Sequence, residues 1–214
     1  MINKVSPLPQ FLIDRYKKWK SIEYVKNEAK FRNLASFGQS PSTMVISCCD
    51  SRVHATSIFG ADEGEFFIHR NIANLVPPYF SDGENFATSS AIEYAIKELK
   101  VQHLIILGHK DCGGIKYGHN MHSNSANPNY EFINKWMGII LPAFNKIQKD
   151  VSVKKQINQL EEESIKVSID NLLNFPFVKK TIEDNNLLIH GLIHDIGSGN
   201  LHYLNPVTYN FENL

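Results

Sequence analysis

The sequence predicts an α/β fold: a mostly parallel β-sheet flanked by helices, preceded by an N-terminal helical arm. Two observations carry this. Short runs that are apolar on both faces recur along the chain, as strands buried between helices require. Between them lie longer segments whose apolar residues repeat at three- and four-residue steps, the period of an amphipathic helix. The boundaries divide the chain into an arm over residues 1–38 and one α/β domain over 39–214.

Taken in order, residues 8–37 read as helical, with Leu12, Ile13, Tyr16, Trp19, Ile22, Val25 and Ala29 at helical spacing and Lys and Glu between them. Such an arm either packs on its own core or covers a partner subunit. Gly38-Gln39-Ser40-Pro41 ends it. Strands follow over 43–47, 65–68 and 103–108, the last after a helix over 84–100 with Phe86, Ile92, Ala95, Ile96 and Leu99 on one face. His119 to Asn129 is polar and predicts a loop. Residues 130–149 and 155–174 predict two helices, and Pro176 opens a third that runs to Asp184. Residues 187–189 and 201–204 predict closing strands around the turn Gly197-Ser198-Gly199-Asn200. No repeat or low-complexity segment interrupts this plan.

Composition narrows the function. The chain has 214 residues, 43% hydrophobic and 21% charged, with 22 basic against 22 acidic side chains, so it lacks the basic footprint of a nucleic-acid binder. No run approaches the length of a membrane span, and Pro7 and Pro9 interrupt the N-terminus where a signal-peptide core would lie. Three cysteines, two of them adjacent, make a poor disulfide framework and suit a reducing compartment. The cytoplasm is the expected location.

The chemistry concentrates at two strand ends. Cys48 directly follows the first apolar run and His109 the third, and in open parallel sheets ligand sites form at the carboxyl ends of strands. Cys112 stands three residues beyond His109, close enough for both to grip one ion. Two thiolates and one imidazole suit Zn²⁺, and three protein ligands leave the fourth tetrahedral position to water, the pattern of a catalytic zinc. Asp50 and Arg52 follow the first ligand. Asp50 can accept a hydrogen bond from a hydroxide held by the metal, and the planar fork of Arg52 can fix the carboxylate and keep it ionised. Thiol redox chemistry at Cys48-Cys49 is a weaker reading, because the pair lacks CxxC spacing.

Cys48-x-Asp50-Ser51-Arg52 followed by Gly108-His109-x-x-Cys112-Gly113-Gly114 resembles the β-class carbonic anhydrases, as do Gly64 to Asn74 and Ala91 to Ala95. The likeness covers about residues 34–205 and leans to the plant-type subgroup. Val45 stands where the bicarbonate-inhibited subgroup has a tryptophan. The resemblance implies zinc-dependent reversible hydration of carbon dioxide to bicarbonate and a proton. It assigns the substrate pocket to Gln39, Phe67, Ile72, Tyr94 and the Gly113 amide. It also implies a homodimer, or a larger homo-oligomer, with the pocket near the subunit interface. Hydrolysis of carbonyl sulfide or carbon disulfide on the same scaffold, and a non-catalytic zinc module, are the competing functions. His103, His119 and His122 are candidate proton shuttles only because imidazole titrates in the right range. Cys49 reads as a packed side chain, His69 and His190 as structural, Tyr94 as core by its helical position alone, and Glu161-Glu162-Glu163 as a solvated helix face.

Overall fold

The structure, a computed structural model, describes residues 5–80, 86–124 and 127–214. The first two residues of the helix predicted over 84–100, and two of the loop predicted over 119–129, lie outside them. Contacts divide the chain into two units, Met1–Ser40 and Pro41–Leu214.

The first unit comprises α1 (Gln10–Trp19), a π-helical turn (Lys20–Tyr24) and α2 (Glu28–Phe37). The single helix expected over 8–37 is therefore two. They part at Asn27, whose backbone (φ −113°, ψ 18°) leaves helical geometry. No residue of these elements is buried, although Trp19, Tyr24 and Phe31 meet edge-on or stacked.

The second unit is built on a six-stranded sheet in the order β2-β1-β3-β4-β5-β6. Its strands are β1 (Thr43–Cys48), β2 (Phe66–Asn71), β3 (His103–His109), β4 (Leu188–His194), β5 (Leu201–Leu204) and β6 (Phe211–Asn213). The first four are mutually parallel, and β5 and β6 return antiparallel. Every residue of β1 is buried, which is why its sequence shows a continuous apolar run rather than alternation.

Two apolar layers cover the sheet. Met44, Ile46, Leu104 and Ile106 pack with Ile92 of α4 (Phe86–Lys97, after the five-residue α3, Ala55–Phe59) and with Ile165 and Leu172 of a long later helix. Val45, Ile105, Leu107 and Leu192 form the opposite layer with Val53.

The remaining helices are α5 (Gly113–Ser123), α6 (Glu131–Met137), α7 (Leu141–Lys146), α8 (Val153–Leu173) and α9 (Pro176–Glu183). The polar segment expected as a loop from His119 is helical to Ser123. The helix expected over 130–149 is split by a 3-10 turn (Gly138–Ile140), with Pro142 in the first turn of α7. Ser152 caps α8 by accepting from the Lys155 amide, and Pro176 opens α9 after an extended Phe175. The buried stripe of α8 runs Glu161, Ser164, Ile165, Ser168, Ile169, Leu172, the three-four spacing of a helix laid on a sheet.

Candidate metal centre

The strand ends of β1 and β3 lie side by side, with Ser47 paired to Leu107, so the residues that follow converge. Cys48, His109 and Cys112 are all buried, and their ligand atoms lie within 4.8 Å of one another. The sulfurs of Cys48 and Cys112 are 3.9 Å apart. Two sulfurs on one tetrahedral zinc, each at about 2.3 Å, would stand about 3.8 Å apart. His109 Nδ1 lies 3.0 Å from the Lys110 carbonyl, to which it donates, so Nε2 is the acceptor nitrogen. That Nε2 is buried without a hydrogen-bond partner in the protein. A soft donor set of tetrahedral spacing with an orphaned, metal-facing nitrogen fits zinc.

Backbone amides prepare both sulfurs for a cation. Those of Asp50 and Ala73 reach Cys48, and those of Gly114 and Ile115 reach Cys112. The hydrogen bond from the Cys112 thiol draws the Cys48 pKa down, against the opposing effect of burial. The same bond, with burial, pushes the Cys112 thiol up.

Asp50 and Arg52 stand beside this centre. Arg52 donates from its backbone N–H and Nε to Asp50 Oδ1 (3.0 and 2.9 Å) and from a terminal nitrogen to Oδ2 (2.8 Å). The guanidinium holds the carboxyl well below the usual carboxylate range. Asp50 Oδ2 is 3.8 Å from His109 Nε2, so the carboxylate faces the ligand atoms.

Arg70 anchors the loop that carries this pair. It donates to the carbonyls of Cys48 (2.9 Å), Asp50 (2.8 Å) and Val53 (2.9 Å). Its pairing to Ser47 across the β1–β2 ladder puts it beside that loop, a role for which the sequence motif alone carries no signal.

The pocket residues divide. Gly113 is the first residue of α5, where a Cβ would meet open space. Gly114 is different: a Cβ there would stand 2.7 Å from Ile72 Cγ2 and 3.1 Å from Ala73 Cβ. Ile72 therefore lies against the helix start that follows Cys112. Phe67 and Tyr94 touch each other, ring centres 5.8 Å apart, but Phe67 is paired to Met44, four residues before Cys48. At about 3.3 Å per residue this is about 13 Å along the strand from the ligand end, so within one chain the two rings stand apart from the metal centre. Tyr94 is 48% exposed rather than core. Gln39 belongs to the first unit and is exposed.

Two further expectations change. Cys49 is exposed, because the backbone leaves the strand at Cys48. Glu161 is only 3% exposed: it falls on the buried stripe of α8, where counting back by four from Ile169 and Ile165 leads to it. Burial raises its carboxyl to about 7, and Oε1 accepts from the Cys112 amide at 3.1 Å. Among the histidines, His103 Nδ1 lies 3.2 Å from His190 Nε2, His119 is bonded to Gln156, and His122 to the Met137 carbonyl.

A mostly parallel sheet covered on both faces, with three buried side chains that fit zinc and a carboxylate beside them at its strand ends, is the layout of an α/β metalloprotein. Comparison with known proteins makes the class specific. The family described as carbonic anhydrase matches residues 43–201. Beta carbonic anhydrase 3 of Arabidopsis thaliana is 39% identical over 184 residues, covering 85% of this chain and 70% of that protein. The β-carbonic anhydrase CcaA superposes with a TM-score of 0.85 at 24% identity, over 96% of this chain and 98% of the other. A tetrameric β-carbonic anhydrase of Sordaria macrospora gives 0.77 at 28% identity, over 92% and 96%. The chain belongs to the carbonic anhydrase family, in its β-class. It is a zinc enzyme that interconverts carbon dioxide and bicarbonate.

Proposed function

We propose that Cys48, His109 and Cys112 hold the zinc, that Asp50 and Arg52 are the catalytic pair, and that the working unit is a homodimer whose copies share their pockets. The observation that carries the first two assignments is the Asp50 carboxylate facing three buried ligand atoms that lie within 4.8 Å of one another. When bound, zinc supplies Lewis acidity that brings the pKa of a water toward about 7. The protein's part is orientation. Asp50, kept ionised by Arg52, accepts a hydrogen bond from the attacking oxygen and fixes its direction. The Gly113 amide, at the positive end of α5, donates to the oxygen that gains charge as carbon dioxide becomes bicarbonate. Ile72 excludes water beside the reacting carbon.

Two observations support the dimer. Phe67 stands about 13 Å along the sheet from its own chain's ligand end, and the half-exposed Tyr94 packs against it. The arm leaves Phe11, Tyr16 and Trp19 more than 40% exposed, a surface that a second copy would cover. In this reading Phe67 and Tyr94 of one copy line the pocket of the other. Gln39 is assigned to the pocket on the resemblance alone. The cytoplasm is the compartment in which the exposed Cys49, beside a ligand cysteine, would stay reduced; recovery of activity in the cytoplasmic fraction checks this.

Stopped-flow hydration of carbon dioxide, before and after zinc removal, tests the centre. Turnover should vanish with the metal and return with zinc; turnover indifferent to zinc would refute it. Mixing Cys112→Ser and Tyr94→Ala chains tests the shared pocket. Each alone is impaired, and the mixture should regain activity, because one site then has intact ligands and an intact neighbouring Tyr94. A mixture no better than its parents rejects the shared pocket.

A further inference from the structure

Glu161 is a buried acid that the reaction outlined above does not use. Its Oε1 accepts from the backbone amide of Cys112 at 3.1 Å, while its Oε2 is buried with no partner in the protein. An acid 3% exposed and only half satisfied is costly to keep in a core, and an apolar residue would continue the stripe of Ile165, Ile169 and Leu172.

The segment it touches needs restraint. Asp111, between the second and third ligands, has a left-handed backbone (φ 59°), a conformation that L residues other than glycine adopt at a cost. That twist lets His109 on β3 and Cys112 at the start of α5 address one point. Several side chains brace the twist from the surface: Lys116 pairs with Asp111 Oδ1 (2.8 Å), Lys110 with Glu162 (3.1 Å), and Arg52 reaches the Asp111 carbonyl (3.3 Å). Solvent weakens such exposed pairs. Glu161 acts from the buried side and bonds the main chain of the ligand residue itself.

We propose that Glu161 is a positioning residue for the metal, holding the Cys112 amide so that the left-handed turn at Asp111 presents the third sulfur to zinc. This rests on the metal centre assigned above. It predicts that zinc affinity depends on an acceptor of glutamate's reach, not on acidity.

Three full-length variants separate those properties. Glu161→Gln keeps the reach and the acceptor, Glu161→Asp keeps the acid but shortens the reach, and Glu161→Met keeps the shape without an acceptor. Zinc affinity is read by competition with a chromophoric chelator, and the thermal midpoint of each zinc-free form is read alongside. Removing outer partners of metal ligands weakens affinity about 10–100-fold, the range expected for the Met and Asp variants, with Gln close to wild type. A Gln variant as weak as Met or Asp overturns the proposal, as does a fall in zinc-free stability with unchanged zinc affinity. Should the Met variant fail to fold, the order of Gln and Asp decides. A wild-type chain without zinc overturns the metal centre together with this role; equal zinc affinity in wild type and all variants overturns this role alone.

Discussion

Asp50 and Arg52 meet through two parallel hydrogen bonds, Nε to Oδ1 at 2.9 Å and a terminal nitrogen to Oδ2 at 2.8 Å, and the carboxylate so held faces His109 Nε2 at 3.8 Å. Both oxygens are engaged, so the carboxylate has little freedom to swing onto the metal.

Asp50→Asn should keep stoichiometric zinc and lose carbon dioxide turnover by about 10–100-fold, as loss of outer partners at metal sites commonly costs. Metal analysis with stopped-flow kinetics checks this, and near-normal turnover would remove Asp50 from the mechanism. The pH sign follows from the pairing. A carboxyl held below its usual range keeps its contribution at all higher pH and loses it only as pH falls through that depressed value. Any decline in rate between pH 7 and 5 should therefore persist, in proportion, in the Asn variant.

Neighbouring glycines should respond oppositely to alanine. At Gly114 the new Cβ would press on Ile72 and Ala73, whose amide reaches Cys48. Overpacking of this kind costs about 1–3 kcal/mol, so Gly114→Ala should melt earlier and release zinc faster. Gly113→Ala has open space at a helical position and should be neutral or more stable by about 0.4–1 kcal/mol. Equal melting temperatures for the two variants would contradict the close approach.

Burial, with the neighbouring His103, lowers the pKa of His190. A histidine whose folded value is depressed contributes stability above its unfolded value near 6.5, lost as pH falls below it. Thermal melting of the wild type should weaken between pH 7 and 5.5 more than that of His190→Gln. Parallel pH curves would show that the pair does not couple to folding.

Much of this architecture is legible in the sequence because burial on both faces writes itself as uninterrupted apolar runs. Thr43 to Ser47 and His103 to Gly108 became β1 and β3, and the ligands were found where those runs stop. Short elements carry no such period: α3 spans five residues and β6 three, too few to repeat. Three adjacent acids suggest a solvated face, whereas spacing along α8 puts Glu161, the first of them, inward. The separation of Phe67 from the metal depends on strand register, which a single strand's sequence does not contain.

The first and third ligands are 64 positions apart in the chain. An ion gripping both ties a long stretch of polypeptide into a ring, removing freedom mainly from the unfolded ensemble. For a covalent bridge of that span the chain-entropy relation gives about 4 kcal/mol. The same ion that serves the reaction thus does for this chain what a disulfide does for a secreted protein, without oxidant.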